Sequence, residues 1–593
     1  MDNLNNRIWR ALASLGGKVL QLHLLRVPFT QNAGRQPPAA VHGAEKDGED
    51  SPSGAKQKTL DDWKEALRSA VGQFPMASAA PPLFSIITPA FNTKPEWLAE
   101  AALSVLQQNL TDWEWLVVDD ASPETAFHAI LSELEGIARV TVRRLERRAG
   151  ISAATNAGLQ MARGRFFCVL DHDDVLAPEA LSRCAAVLEA GFDAVYTDEE
   201  KINEVSVPFQ PFHKPDWSPE YFRNLMYIGH LLCVRRDLAY EIGGFDSRYD
   251  RIQDYEFFLR YSERTGRIAH INRVLYRWRA VQGSIAADQQ AKGDLEPLQL
   301  AAVQAHLDRM NFPADAGPGR AVHAVRIMPR PRASSSKISV VVLACGGPQA
   351  LSRYLASLAR NTTYADLELI GVHIGSGNIR TTELMQAFEV KHLYCGDRLN
   401  QPAAQNFGAG KAAGRYLAFL GSGVEILTPD WAEQMLYYAE QGDVGAVGGL
   451  VVNPNQTVQQ AGLALSPRSA VRPMWSGQRA NSDGYFASLA CAHEVTAVSA
   501  DCLMIRKDLF LDLGGFDPCF LTAGHDVDLC LRLLSVGKRN IFTPYARFLD
   551  PEAETANRGI PSADRHLLAC RWQHSLETGD RCYRAAPPED LTL

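Results

Sequence analysis

The sequence predicts an α/β protein in which two similar sheet domains follow one another. Three observations predict it. From residue 83 onward, short apolar runs alternate with amphipathic helix-length segments, the pattern of a mostly parallel sheet with helices on both faces. Several runs end in carboxylates, above all Asp171, Asp173 and Asp174 after Phe166 to Leu170. A set of short motifs then returns, in the same order, in the second half of the chain.

At 593 residues the chain has room for about three or four domains. Hydrophobic and charged contents of 46% and 22% are those of a soluble globular protein. A net charge of -8 without a long basic block argues against nucleic acid as the main partner. The 11 cysteines contain no CxxC pair. Cys168, Cys233 and Cys530 sit in apolar runs and read as reduced core residues, which favours a reducing compartment. No apolar run approaches the length of a membrane span. Arg10, Lys18 and Arg26 break up the N-terminal apolar residues, against a secretory leader. The expectation is a cytoplasmic protein.

Residues 1–82 read as an N-terminal region. Ile8, Trp9, Leu12, Leu15, Val19, Leu22 and Leu25 recur at helical spacing, with Arg7, Arg10, Lys18 and Arg26 among them. Two readings of residues 1–30 stand level: a helix lying on a membrane surface or a partner, and a helix packed on the chain's own body. Residues 31–58 have the composition of a disordered segment. A short helix over Leu60 to Val71 and a Pro/Ala/Ser linker follow.

The first domain is placed at 83–315. Phe84 to Thr88 is a strand, Pro89 to Asn92 a loop and Pro95 to Gln108 a helix. Trp115 to Val118 is a strand ending in Asp119 and Asp120. After a further helix and strand, Ile151 to Ala162 is a helix and Phe166 to Leu170 the strand that runs into the acids. In open α/β sheets ligands bind at the carboxyl ends of strands, and Asp119, Asp120, Asp171, Asp173 and Asp174 all fall at such ends. One acidic cluster reads equally as helix caps or turns. Acids converging from separate strand ends suit a hard divalent cation, Mn²⁺ or Mg²⁺, which takes oxygen ligands and shares them with phosphate. The chain has neither GxxxxGK[ST] nor GxGxxG, so a phosphate would be held by metal and side chains rather than by a glycine-rich cradle. No Ser–His or Cys–His nucleophile pattern is evident. Tyr255, Phe258 and Leu259 predict a helix beginning near Asp254, an acid that reads either as an N-cap or as a general base presented at a helix start.

Pro318, Pro329, Pro331 and Ser334 to Ser336 mark a linker over 316–336. A second domain at 337–560 opens with the strand Ile338 to Leu343, and 561–593 is a tail. Asn156-Ala157-Gly158 and Gly164-Arg165-Phe166 return as Asn406-Phe407-Gly408 and Gly414-Arg415-Tyr416. Gly243-Gly244-Phe245-Asp246 returns as Gly514-Gly515-Phe516-Asp517, and Asp254 with Leu259-Arg260 returns as Asp526 with Leu531-Arg532. The acids do not return: Asp171, Asp173 and Asp174 fall opposite Gly421, Gly423 and Val424, and Asp119 and Asp120 opposite His373 and Ile374. The second copy is therefore expected to have lost or altered a metal–nucleotide site, leaving it to bind sugar polymer or serve as an interface.

Together these motifs resemble family 2 glycosyltransferases of the GT-A fold. The first domain carries Thr88-Pro89-Ala90-Phe91-Asn92, Val118-Asp119-Asp120-Ala121-Ser122, Asn156-Ala157-Gly158, Leu170-Asp171-His172-Asp173-Asp174 and Gln253-Asp254. It is most similar to bacterial surface-polysaccharide and O-antigen members, through Tyr196 to Lys201, Lys214 to Pro219, Tyr227 to His230 and Tyr276-Arg277-Trp278-Arg279. In the last segment Arg277 stands where the family has histidine. The second domain is similar to the tandem domains of the same group through Gln459 to Gly462, Asp526 to Leu533 and Thr543 to Ala546.

The resemblance implies transfer of a sugar, with inversion, from a nucleotide-diphosphate donor to a hydroxyl of a growing surface glycan. It carries donor contacts to Pro89, Phe91, Asn92, Asp119, Asp120, Asn156 and Asp171. It carries the divalent metal to Asp173, with Asp171 or Asp174 assisting, and the general base to Asp254. Trp217, Tyr227 and Trp278 read as sugar platforms or as aromatic core in equal measure. A lipid-linked acceptor at the inner membrane face would give residues 1–30 a peripheral anchoring role. Two other classes stand beside this reading: a non-catalytic carbohydrate-binding or assembly protein, and a metal-dependent sugar nucleotidyltransferase.

Overall fold

The computed structural model describes residues 59–71, 80–123, 126–281, 294–331, 336–345, 347–375, 377–421, 423–467, 469–552 and 560–583. The expectations for 1–30 and 31–58 lie outside these residues.

In the first half, nine described strands form one sheet. They are β1 (Phe84–Ala90), β2 (Trp113–Asp119), β3 (Val140–Arg144), β4 (Phe166–Val169), β5 (Val175–Leu176), β6 (Ala194–Ile202), β7 (Pro208–Phe212), β8 (Leu232–Arg235) and β9 (Ile268–Arg279). The order is β3-β2-β1-β4-β8-β6-β9-β5, with β7 paired to β6. Every residue of β1 and β2 is buried, as strands covered on both faces require. β1, β2, β3 and β4 run parallel. β8 runs antiparallel to both β4 and β6, so the sheet is mixed rather than mostly parallel. That pairing keeps residues 203–231 at the carboxyl end of β6, the end to which β2 and β4 bring their acids.

The second half repeats the strand order of the first sheet and adds a tenth strand, His493–Val495, beside Arg539–Leu549. Its order is Lys391–Cys395, Leu367–Ile374, Ile338–Leu343, Tyr416–Leu420, Cys502–Arg506, Val444–Val452, Arg539–Leu549, Glu425–Ile426. The hydrogen bonds behind the repeated motifs recur as well. Asn156 Nδ2 donates to the Phe245 carbonyl at 2.7 Å and its Oδ1 accepts from Phe245 N at 2.9 Å. Asn406 does the same to Phe516 at 2.7 and 2.9 Å. Gly244 and Gly515 hold φ of +72° and +69°, and a Cβ on either would lie within 2.6 Å of that asparagine's Oδ1. Only glycine fits there.

Two sequence boundaries change. The stretch expected as a proline-broken linker contains an antiparallel hairpin, Ala314–Pro318 with Val325–Pro329. Both prolines close their strands, where no ladder N–H is needed. The expected tail contains helices Ser562–Arg571 and Gln573–Thr578, which bury Leu568 and Leu576 in the core of the second half. The Asp564 carboxylate accepts the backbone N–H groups of Leu521, Thr522 and Ala523. One face of the first sheet packs Leu98, Val105, Ile130 and Leu134. The other continues through Val325 and Ile327 of the hairpin to Ile338, Val340 and Tyr438, so the halves share a core.

Candidate active site

At the carboxyl ends of β1, β2 and β4 a cavity of about 820 Å³ opens between the halves. Its wall includes Pro89, Phe91, Asp120, Asp171, Asp173 and Asp254 among the residues expected from sequence. Asn92, Asp119, Asn156 and Asp174 are not part of it, each for a physical reason.

β1 ends in Ala90, and Asn92, exposed with φ of +48°, turns the chain away while its N–H donates to Ser122 Oγ at 2.9 Å. Asp119 is fully buried below the rim. Its Oδ1 accepts Ser122 N at 2.9 Å, and its Oδ2 lies 3.3 Å from Arg144 Nε and 3.5 Å from His128 Nε2. Asn156 is spent on the Phe245 backbone. Asp174 is fully buried; Tyr276 Oη donates to its Oδ2 at 2.6 Å and Arg279 N to its Oδ1 at 2.7 Å. Both carboxylate oxygens are used in tying β9 to the strand end. Burial, with Asp173 and Asp171 adding, holds its pKa well above the usual carboxylate range. The expectation that Asp174 assists a metal is corrected accordingly.

Asp120 lies on the wall, and its two oxygens accept Ala149 N at 2.7 Å and Gly150 N at 2.9 Å. It thereby fixes the entry to helix Ile151–Met161, whose first residue follows Gly150 at φ of +94°. Arg148 from the same turn stacks over the Phe91 ring at 3.9 Å, making a cationic, aromatic wall beside Asp120.

Asp171 and Asp173 face the cavity. Burial raises the Asp173 pKa, with His172 opposing and Asp171 adding to the rise. His172 Nδ1 lies 3.6 Å from Asp173, and His230 Nε2 3.9 Å from Asp171. Burial works against a charged His230, but Glu199, Asp171 and Asp174 outweigh it and raise its pKa to about 9. Glu199 accepts His230 N at 2.7 Å and Lys214 Nζ at 3.2 Å. Burial alone would raise the Glu199 pKa; Lys214 and His230 bring it instead to about 2. A buried Lys214–Glu199–His230 relay thus stands behind Asp171. Sequence reading quoted these three residues as motif members only. Their burial has no signal in the local sequence, since Glu199 lies among charged residues and Lys214 in a proline-flanked loop.

Among the described residues no three His, Cys, Asp or Glu side chains converge as a ready-made metal cage. Two cavity-facing carboxylates are nevertheless a fitting donor set for Mg²⁺ or Mn²⁺, which is commonly held by one or two carboxylates with phosphate oxygens completing the shell. Burial, with Asp171 adding, makes a charged Asp173 costly, and a bound cation would offset that cost.

Asp254 lies in the first turn of helix Gln253–Ser262, whose N-cap is Ile252. Its Oδ1 accepts Tyr255 N at 2.8 Å. Glu256 turns away into a pair with Arg260 at 2.6 Å. Gln253 Oε1 is buried without a hydrogen-bond partner and belongs to the cavity wall. Trp278 and Tyr227 also line the cavity, Tyr227 buried at its base; Trp217 packs instead on Phe222 and Phe258. Arg277 is outside the wall and pairs with Glu200 at 2.8 Å.

The second half has no such strand end. Gly421 leaves space into which Asp501 reaches; a Cβ on Gly421 would lie 2.8 Å from Asp501 Oδ1. Asp526, opposite Asp254, accepts Ala500 N at 3.0 Å. His373, opposite Asp119, stacks on Tyr394 at 4.8 Å. Among the described residues, no helix is long and apolar enough to cross a membrane.

A protein-family model described as glycosyl transferase family 2 matches residues 85–244 and again 339–514. O-antigen biosynthesis protein RfbC of Myxococcus xanthus is 32% identical over 498 residues, covering 82% of this chain and 39% of that protein. Uncharacterized protein y4gI of Sinorhizobium fredii is 32% identical over 495 residues, covering 81% of this chain and 54% of that protein. The chain spans about half the length of these relatives, or less. The crystal structure of S. aureus TarS 1–349 aligns with a TM-score of 0.30 at 21% identity, covering 38% of this chain and 73% of that one. The two family matches take in more than half of the chain, one in each sheet domain, and the chain belongs to glycosyl transferase family 2.

Proposed function

We propose that the first half, about 83–315, is an inverting glycosyltransferase domain that moves a sugar from a nucleotide-diphosphate donor to a hydroxyl of a growing surface glycan. The second half, about 337–560, is its non-catalytic partner. The observation that carries the reading is the single cavity that joins the acids of two strand ends to Asp254 at a helix start. The family supports the reaction class. The RfbC name, an O-antigen biosynthesis protein, supports a polysaccharide acceptor. A lipid-linked acceptor and a peripheral place at the membrane for residues 1–30 are part of the same proposal.

Phe91 and Arg148 offer a face for the nucleotide base, with Asp120 beside them as acceptor. Asp171 and Asp173 would hold the divalent ion. When bound, it offsets the charge that grows on the leaving nucleoside diphosphate. His230, kept charged by Glu199, steadies Asp171 from behind. Asp254 takes the proton of the acceptor hydroxyl as that oxygen attacks the anomeric carbon, a role worth about 10²–10⁴-fold in rate. The attack comes from the face opposite the leaving phosphate, which inverts the configuration.

The test is release of nucleoside diphosphate from a panel of nucleotide sugars with Mn²⁺ or Mg²⁺. Metal-dependent release of one nucleoside diphosphate is expected. Asp173→Ala abolishes metal-dependent binding, and Asp254→Asn retains binding and loses transfer. Release of pyrophosphate instead would indicate a nucleotidyltransferase. Full function in Asp173→Ala would leave only the non-catalytic reading.

A further inference from the structure

Part of the cavity wall is not made by the first half. Asp483, Gly484, Phe486 and Ala487 of the second half reach across and line it. The segment is conformationally costly. Gly484, Phe486 and Ala487 hold φ of +73°, +48° and +62°, a region in which a bulky residue is a genuine outlier. Such backbone persists only where its surroundings over-determine it, and it gathers at ligand sites.

The surroundings here are the first half. The Tyr221 hydroxyl donates to the Phe486 carbonyl. Tyr485 Oη accepts His213 N at 3.1 Å. The Phe486 ring stacks on Phe212 with 8° between planes. A Cβ on Gly484 would lie 2.8 Å from Leu489 Cβ, which fixes where the turn begins. Despite these ties, Phe486 stays 43% exposed. A large aromatic ring is therefore held at a conformational cost and presented to a cavity.

We propose that residues 483–487 form the acceptor subsite of the first half's cavity, with Phe486 as the platform for a sugar ring and Asp483 taking its hydroxyl groups. This rests on the glycosyltransferase reading above. A pyranose presents a patch of C–H groups on its face and hydroxyls at its rim. An aromatic face with an acceptor carboxylate beside it matches both. Two observations favour acceptor over donor. Phe91, Arg148, Asp120, Asp171 and Asp173, all of the first half, already supply the proposed donor and metal contacts, which leaves this second-half segment for the acceptor. Gln253 Oε1, buried and unpartnered next to Asp254, is a further acceptor for a sugar hydroxyl. The second half, without counterparts of Asp171 and Asp173, thus contributes through the wall it lends.

The experiment is saturation-transfer NMR on the full chain. The probes are methyl glycosides of glucose, galactose, mannose, rhamnose and N-acetylglucosamine at millimolar concentration. Nucleoside diphosphate binding with Mn²⁺ is measured alongside by calorimetry. At least one glycoside is expected to bind the wild type. Phe486→Ala weakens it by about tenfold, the scale of a lost aromatic contact, and Phe486→Tyr restores it. Nucleoside diphosphate affinity stays within about twofold throughout, and circular dichroism establishes that the variants are folded. No glycoside binding to the wild type, or equal binding to folded Phe486→Ala, overturns the proposal. Failure of the wild type to bind any nucleoside diphosphate would instead count against the glycosyltransferase reading.

Discussion

Replacing Asn156 by alanine tests whether this motif residue touches the donor or holds the fold. Its side chain makes two hydrogen bonds, both to the Phe245 backbone, at 2.7 and 2.9 Å. Alanine would leave one N–H and one carbonyl unpaired where Gly244 approaches most closely. An unsatisfied buried polar group costs about 1–3 kcal/mol. Some relief from water brings the pair to about 2–4 kcal/mol. In a domain of this size about 1 kcal/mol moves the midpoint by roughly 2–4 °C, so the first domain should melt about 5–15 °C lower. Asn406 makes the same two bonds to Phe516 at the same distances, in the half whose strand end has lost its acids. Asn406→Ala should therefore destabilise the second domain by a similar amount. The assay is differential scanning calorimetry of both variants, with nucleoside diphosphate titrations well below the lower transition. A structural role predicts matched losses of stability and unchanged affinity. If Asn156→Ala melted like the wild type but bound nucleotide more weakly, the assignment of its amide to Phe245 would be wrong.

Two further predictions concern the junction between the halves. His493 is buried against Tyr221 and Tyr583, and burial lowers its pKa to about 4 while its Nδ1 faces the Cys491 carbonyl. The unfolded chain takes up this proton near pH 6.5 and the folded chain does not until about pH 4. The stability it supports is therefore intact above about pH 6.5 and declines as pH falls toward 4, by up to about 3 kcal/mol. His493→Gln should flatten that part of a stability–pH curve measured by urea unfolding; an unchanged slope would refute it. Arg539 pairs with Glu494, with Asp443 at 2.8 Å and with Glu220 of the first half at 3.4 Å. Arg539→Met leaves the buried Glu494 carboxylate without its cation, while Glu220 keeps Arg223, and should cost about 3–5 kcal/mol, read by thermal unfolding. Adding Glu494→Gln should recover part of that loss.

What the sequence made legible follows from which physical constraints are local. Strand–helix alternation and glycine spacing are local, so the sheet domains and their repetition could be read directly. Acids after an apolar run and an acid opening an amphipathic helix are local too, so Asp171, Asp173 and Asp254 can be singled out. What a side chain does with its last hydrogen bond is not local. Asp173 and Asp174 are adjacent and chemically identical, yet one faces the cavity and the other bonds Tyr276 and Arg279, about a hundred positions away. Asn156 and Asp119 were read as donor contacts for the same reason: their partners, Phe245 and Arg144, are set by the fold. The hairpin at 314–329 was hidden because prolines at strand ends look like breaks. The Asp483-Gly484-Tyr485-Phe486-Ala487 turn had no signal at all, since nothing in a loop sequence says which cavity it will border.

The repeat itself separates the two kinds of residue. Motifs kept in both halves should be those the fold needs, and motifs kept in one half those that chemistry needs. Asn156 and Asn406, Gly244 and Gly515, and Arg260 and Arg532 make matching contacts in each half: each arginine binds the carbonyls of the glycine turn, Arg260 at 2.5 and 2.8 Å and Arg532 at 2.6 and 2.8 Å. These residues stay away from the cavity. Asp120, Asp171 and Asp173 are absent from the second half, and they line the cavity in the first. Asp526 looks like an exception, being kept where the counterparts of Asp171 and Asp173 are lost. It is not one, because its carboxylate has been turned to a backbone N–H at Ala500. Asp254, the same residue in the first half, makes its one backbone bond to Tyr255 with Oδ1 and still borders the cavity. The same aspartate thus serves packing in one copy and is left open to a ligand in the other, and that difference picks out Asp254 more sharply than the motif does.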